Sequence, residues 1–365
     1  MKPEQVTQQI QQGSRKAHKD YAFDETHDAE RPADFWFQQA HTGLVLFAVF
    51  YTQACRWSRC LGCNLPARMS QKHVPFSAIM RQIDCLFQHP EITRRAARIH
   101  KVIVSNNGSV LDEATFSSTA LMYLLAKLNL HLPALEVLSL ETRPEYADFA
   151  ELEFLSRALT EGDSPTRLEL AIGFEAFNDH IRNALFDKGL PLNQFEKLVR
   201  RIAPHGYLLK TYFMQKPVPE MTDEQAVLDI QQAIDYLSDI AAKHQVQINL
   251  HLNPTYAAKG TQLETAFHQG RFKPPLLKDV ARAALHGHGK PLSIYIGLSD
   301  EGLAIANGSF LRKGEEPMIQ ALEQFNQSQD YHLLERLLAD ESTATEADQP
   351  SRHLGLAHLK SEKRI

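Results

Sequence analysis

Three cysteines, Cys55, Cys60 and Cys63, stand within nine positions in the stretch ACRWSRCLGCNLPARM, residues 54–69. The chain has one other, Cys85. Thiolates bind zinc and iron–sulfur clusters, and a C-x4-C-x2-C spacing lets one loop present three of them. Three is one short of the four that a closed structural zinc site or an ordinary iron–sulfur cluster takes. Two readings follow. Either His73 or Cys85 completes a non-catalytic zinc site, or the trio leaves one coordination position vacant, as catalytic metal sites do. Cys85 falls in the predicted helix SAIMRQIDCLFQHP, where core packing is the ordinary role, and His73 reads as a surface loop residue. Arg56 and Arg59 flank the first two cysteines and would favour ionised thiols.

The elements that must position this loop are legible around it. It follows an apolar run, LVLFAVFY (44–51), that reads as a strand. Further β-rich runs are KVIVS (101–105), EVLSL (136–140), RLELAIGF (167–174), YLLKTYFM (207–214) and QVQINLHL (245–252), with SIYIGL (293–298) as an added edge strand. Helical periodicity fills the intervals around 75–88, 112–128, 147–161, 178–203 and 222–243, with Asp112 and Thr222 as N-caps. Strands alternating with helices imply parallel pairing through right-handed crossovers. Runs such as VLFAVF are apolar on both faces, as expected of strands covered on both sides. The fold class is α/β, either an open doubly wound sheet or a partial or full α/β barrel. In both, ligands gather at the C-terminal ends of the strands, which puts the cysteine loop on the functional edge.

With 365 residues, 43% apolar and 23% charged, the chain can bury a sizeable core. Its net charge of -5 argues against a generic nucleic-acid-binding surface but leaves room for a local basic patch. The first twenty residues lack the apolar core of a secretion signal, and the longest apolar run near them, eight residues, is far short of a membrane span. The expectation is a cytoplasmic protein with no membrane partner, in a compartment that keeps four thiols reduced. Four segments are expected: a polar N-terminal arm over 1–34, loose or a short exposed helix; a barrel core over 35–260; a C-terminal extension over 261–337; and a polar, disordered tail over 338–365.

Five later blocks carry a family likeness. They are VSNNGSVLDEATF (104–116), LSLETRPEYAD (138–148), ELAIGFEAFNDHIRNALFDKGL (169–190), LKTYFMQKPVPEMTDEQAVLDI (209–230) and LNPTYAAKGTQLE (252–264). Together with the cysteine loop they resemble the radical S-adenosylmethionine (radical-SAM) superfamily. Within it they are most similar to the elongator-subunit-like branch and its archaeosine-biosynthesis proteins. The likeness spans roughly residues 40–300. It implies a partial (β/α)6 TIM-type barrel in which Cys55, Cys60 and Cys63 bind a 4Fe–4S cluster whose open iron chelates SAM. One electron then cleaves SAM to methionine and a 5′-deoxyadenosyl radical, which abstracts hydrogen from the substrate. It further implies an external electron donor of flavodoxin or ferredoxin type, and a modified tRNA nucleoside as substrate. A small metabolite or a peptide is the alternative substrate. Three departures stand out. The first cysteine gap is four rather than three residues. Gly62 replaces the usual aromatic residue near the adenine, a role that Trp57 would take over. No acidic residue obviously ends the glycine loop.

Individual residues have their own physical warrants. Asn106, Asn107, Gly108 and Ser109 can turn sharply and point backbone groups at SAM, because Asn and Gly tolerate left-handed angles. Glu141 could accept hydrogen bonds from ribose hydroxyls or an ammonium group, and Arg143 could meet the SAM carboxylate in fork geometry; a mutual ion pair is the alternative. Glu175 is a further carboxylate on the same edge, or a cap near Asn178. Arg182 and Lys188 would engage a phosphate or carboxylate, or simply be exposed. Lys210, inside an apolar strand, is the candidate catalytic residue, since a charge there is costly unless it is paired or faces a cavity. Lys216 and Asn253 would face the same space.

Overall fold

The computed structural model describes residues 2–339. Most of the predicted tail over 338–365 lies outside the described residues.

Eight strands form one sheet in chain order: β1 (Asp34–Ala40), β2 (Gly43–Val49), β3 (Ile99–Ser105), β4 (Val137–Thr142), β5 (Arg167–Glu175), β6 (Leu208–Gln215), β7 (Ile248–Pro254) and β8 (Ser293–Ile296). Every neighbouring pair from β2 to β8 is parallel. The helices are α1 (Pro3–Lys16), α2 (Phe76–Gln88), α3 (Pro90–Arg95), α4 (Ser118–His131), α5 (Phe149–Ala158), α6 (Leu192–Ile202), α7 (Asp223–His244), α8 (Gln262–His268), α9 (Leu277–Leu285), α10 (Glu316–Ser328) and α11 (Tyr331–Ala339). Strand order that follows chain order, with helices in the crossovers, makes an open half-barrel rather than a doubly wound sheet, whose order reverses at a switch point. The expected edge strand is real and parallel to β7. It lies within 261–337, so that segment contributes to the sheet.

The antiparallel strand β1 was not anticipated. Its two-residue turn to β2 ends at Gly43, whose φ of 106° suits glycine. Trp36 on β1 stacks on Phe47 of β2 with ring centroids 4.3 Å apart.

Side chains alternate along each strand. One set, including Val102, Leu138, Leu170, Leu209, Leu250 and Ile294, joins the helices in a continuous apolar core. On β2 the other set is apolar too, because α1 covers it: Val6 and Ile10 pack with Val45, Phe47 and Val49. Elsewhere the other set is largely polar, with Glu141, Glu169, Lys210, Asn249, His251 and Ser293 at alternate positions. The expectation of strands apolar on both faces therefore holds for β2 and fails for the later ones, whose second face lines the lumen.

α10 packs against both β1 and β8, across the gap between the two edge strands. Two side-chain amides, Asn326 on α10 and Gln329 just after it, stand in for a missing strand. Asn326 accepts from the Ile296 N–H at 2.7 Å and donates to the Ile296 carbonyl at 2.8 Å, and Gln329 does the same for Ile294 at 2.9 and 2.8 Å. The exposed β8 edge is thereby satisfied.

Two boundaries differ from expectation. Thr222 caps α7 in a capping box with Gln225, as predicted. Asp112 caps nothing: α4 begins six residues later, and Asp112 pairs with Arg56 instead. The helix expected over 178–203 is two elements, a π-turn at His180–Leu185 and then α6. Asp187 and Gly189, both with positive φ, and Pro191 break it. The N-terminal residues are helical but not loose, since Val6, Ile10, Gly13 and Ser14 are buried. Among the described residues, no helix is long and apolar enough to cross a membrane.

Candidate functional site

The cysteine loop leaves the C-terminal end of β2. The Ala54 N–H donates to the Ser70 carbonyl at 2.8 Å, which holds the two arms of the loop together. The Ser58 hydroxyl donates to the Cys55 carbonyl, and the Cys63 N–H donates to the Cys60 carbonyl at 3.2 Å. All four cysteines are free thiols, half-buried. Burial pushes the Cys60 thiol up to about 12, with Cys63 adding to the rise. Burial also raises Cys63, with Cys55 adding to it. A cation bound to these thiols would displace their protons.

The cations beside these thiols are not the ones the sequence suggested. Arg56 pairs with Asp112 at 2.6 Å and lies over the Tyr146 ring. Arg59 pairs with Asp187 at 3.1 Å and lies over Trp57. Lys19 and Lys188 act on the thiols instead: Lys19 is the charge that lowers Cys63, and Lys188 the one that lowers Cys60, followed by Arg143.

The glycine loop after β3 meets the cysteine loop directly. A Cβ on Gly108 would sit 3.2 Å from Cys55 Cα and 3.3 Å from its Cβ, so the approach tolerates little more than hydrogen. Asn107 takes the left-handed turn at φ 54°. Asn106 is buried; its amide nitrogen donates to Thr52 Oγ1 at 3.2 Å, and its Oδ1 has no hydrogen-bond partner. Ser109 Oγ lies 2.7 Å from Thr142 Oγ1 and accepts from the Arg143 N–H, tying this loop to the end of β4.

Around the same edge, the Arg143 guanidinium is engaged by the chain itself. It pairs with Glu145, donates to the carbonyls of Lys188 and Gly189 at 3.0 and 3.2 Å, and lies over Trp57 at 4.4 Å. Trp57 is thus covered by two guanidinium groups, and its indole N–H donates to the Asp187 carbonyl at 2.6 Å. That packing removes the reason for assigning it to adenine. Lys188 pairs with Glu175 at 2.6 Å. Burial opposes its charge, but Glu175 and Cys60 outweigh burial and hold the ammonium above its usual range. Burial pushes the Glu141 carboxyl up, against the pull of Lys210 and Lys188. Arg182, expected at a ligand or in solvent, is fully buried. It donates to the carbonyls of Ala176, Phe177 and Leu190 and pairs with Asp179, so it braces the π-turn. Lys216 pairs with Asp223 at 2.7 Å.

Lys210 lies deeper, in the lumen, where its Nζ donates to Asn249 Oδ1 at 2.7 Å. Burial, with Lys101 adding to it, brings its pKa down to about 7. One layer nearer the mouth is a row that the sequence reading missed. Tyr212, His251 and Tyr295 are paired across β6, β7 and β8, with His251 4.9 Å from the first ring and 4.8 Å from the second. Burial, then Lys210 and Lys101, drives the His251 pKa far down, so its ring is neutral. His251 Nδ1 is buried without a hydrogen-bond partner, and the Tyr212 hydroxyl lies against the Glu141 carboxyl. The signal for them was available: polar residues at alternate positions within YLLKTYFM and QVQINLHL point to one face.

His73 is exposed and Cys85 lies on α2. Among the described residues, no group of three or more His, Cys, Asp or Glu side chains is placed to hold a single metal ion. A cluster asks for something different, because each of its thiolates binds a separate iron.

No family model matches the chain. An uncharacterized protein of Methanocaldococcus jannaschii is 22% identical over 258 residues, covering 68% of this chain and 67% of that protein. Archaeosine synthase subunit beta of Methanosarcina acetivorans is 26% identical over 244 residues, covering 64% and 63%. The corresponding subunit of Thermococcus kodakarensis is 22% identical over 304 residues, covering 81% and 88%. The chain is a distant relative of these archaeosine synthase subunits. The likeness read from the motifs, to archaeosine-biosynthesis radical-SAM proteins, is borne out at that distance. The chain spans about two thirds of the length of the first two relatives. Among solved structures, Elp3 of Methanocaldococcus infernus is similar at 15% identity and a TM-score of 0.42, covering 61% of this chain and 53% of that one. SuiB of Streptococcus suis bound to S-adenosylmethionine is similar at 12% and 0.44, covering 71% and 52%.

Proposed function

We propose that this chain is a radical-SAM enzyme in which Cys55, Cys60 and Cys63 hold a 4Fe–4S cluster and SAM binds across the C-terminal strand ends. The observation that carries the reading is the meeting of two loops: three free thiols on one, and Gly108 of the next lying against Cys55. The chemistry supplied when the cluster is bound is one-electron cleavage of SAM to methionine and a 5′-deoxyadenosyl radical that takes hydrogen from the substrate.

The chain's own residues bind and orient. Asn106, Asn107, Gly108 and Ser109 shape the edge of the site, and the orphaned Asn106 Oδ1 is an acceptor for an ammonium group. Glu141 and the Glu175–Lys188 pair present charges to the polar ends of SAM. Arg143 contributes charge and braces Trp57. The lumen below, with Lys210, His251 and Tyr212, receives the substrate, and the unpartnered His251 Nδ1 awaits one of its polar groups. A neutral Lys210 amine is able to take a proton there near pH 7. The electron comes from an external flavodoxin- or ferredoxin-type donor.

The substrate class is a tRNA nucleoside, supported by the archaeosine synthase relatives. Anaerobic loading with iron and sulfide should give about four irons per chain. With dithionite and SAM, the loaded protein should release 5′-deoxyadenosine. A folded, iron-loaded sample that releases none would sink the enzyme reading. Binding to tRNA that does not weaken steeply with salt, or is absent, would turn the substrate toward a small metabolite or peptide.

A further inference from the structure

Lys19 reaches from the segment after α1 into the cysteine loop. Its Nζ donates to the carbonyls of Cys60 at 2.6 Å, Leu61 at 3.2 Å and Cys63 at 2.6 Å. An ammonium has three donors, so all are used on one turn of chain. Burial lowers the Lys19 pKa, and the charges of Cys63, Cys60 and Cys55 work against that fall; the three carbonyl contacts are what hold the group in place. This arm is anchored on both sides of Lys19. A Cβ on Gly13 would lie 2.4 Å from the Trp57 carbonyl oxygen, so α1 presses directly on the loop backbone. Gln262 Nε2 donates to the Ala17 carbonyl at 3.1 Å, and the Asp20 N–H donates to the Gly260 carbonyl at 2.9 Å. The backbone on either side of Lys19 is thereby held against the cysteine loop and the Gly260–Gln262 segment.

We infer that Lys19 is a positioning residue for the iron–sulfur ligands: it gathers three carbonyls of the Cys60–Cys63 turn and sets a positive charge beside the three thiolates, raising the reduction potential of the cluster they hold. The inference rests on the function proposed above. One-electron reduction adds negative charge to the site, and a fixed ammonium favours the state with more of it. Removing the ammonium also leaves three carbonyl dipoles unbalanced, negative ends toward the gap.

The test uses the full chain as wild type, Lys19→Arg, Lys19→Gln and Lys19→Met, each loaded anaerobically with iron and sulfide. Iron content is measured, and the one-electron midpoint potential is followed by electron paramagnetic resonance during dithionite titration. Lys19→Gln and Lys19→Met should lower the reduction equilibrium constant at least tenfold, about 59 mV for one electron. Lys19→Arg should stay near wild type. If neither neutral variant holds iron while Lys19→Arg does, the charge is required to form the site, and the inference stands. Neutral variants with full iron and the wild-type potential overturn it, as does an arginine variant shifted as far as methionine. A folded wild-type chain that takes up no iron rejects the enzyme reading itself, so the two failures are distinguishable.

Discussion

Lys188 Nζ sits 2.6 Å from Glu175 Oε1, both side chains nearly buried, with Gly173 beneath them. A Cβ on Gly173 would lie 2.4 Å from that nitrogen and 2.5 Å from that oxygen. The bare glycine makes room for the pair, and Glu175 itself takes a left-handed φ of 75° to reach it. Removing one member leaves the other without its partner in a low-dielectric site. Lys188→Met should therefore cost about 3 kcal/mol in urea unfolding. Lys188→Met combined with Glu175→Gln should recover part of it. A loss in the double variant equal to the sum of the Lys188→Met and Glu175→Gln losses would show that the pair is not coupled.

The three loop cysteines should act alike and Cys85 should not. Alanine at Cys55, Cys60 or Cys63 should each abolish most iron uptake after anaerobic loading, as read by iron analysis and visible absorbance. Cys85→Ala should load like wild type. If Cys85→Ala lost iron as the others do, the ligand set would have to be redrawn.

Gly189→Ala should destabilise more than an ordinary surface change. At φ 64° alanine costs roughly 1–2 kcal/mol, and its Cβ would also lie 2.2 Å from the Trp57 ring. Trp57 packs under Arg59 and Arg143, so displacing it disturbs the cysteine loop. A thermal scan should show a lowered midpoint, and tryptophan fluorescence should shift. An unchanged midpoint would mean that the ring has space to move.

Lys210 makes stability depend on pH. Its pKa falls to about 7 in the folded chain, while an exposed lysine titrates near 10.5. Between these values the unfolded chain holds a proton that the folded chain has lost, so this group makes stability rise with pH, at up to about 1.4 kcal/mol per pH unit. Its penalty is full below pH 7 and gone above 10.5. Lys210→Met removes that slope. Urea unfolding at pH 7.5 and 9 should show a larger gain for wild type than for the variant. Parallel behaviour of the two would refute the buried ammonium's role.

The cysteine trio was legible as a set because three cysteines on one loop need no tertiary information to be grouped. The strand behind them was legible because LVLFAVFY is apolar on both faces, and both are covered. The polar faces of β6 and β7 were harder, since Lys210 drew notice as an isolated charge while Tyr212 and His251 looked like ordinary strand residues. Asp112 was misread because local sequence cannot distinguish an N-cap from the partner of an arginine 56 positions earlier.

The alternation of strands and helices along the chain, the cysteine spacing and the glycine loop were therefore set by local pattern, where periodicity and turn chemistry act over a few residues. Which charges face the thiols was decided only by folding. Arg56 and Arg59 are neighbours in sequence, yet they turn to Asp112 and Asp187, while Lys19 arrives from 41 positions before Cys60 to hold its carbonyl. A buried charge goes to whatever partner the packed chain places within reach, and that distance is not written in the order of the residues.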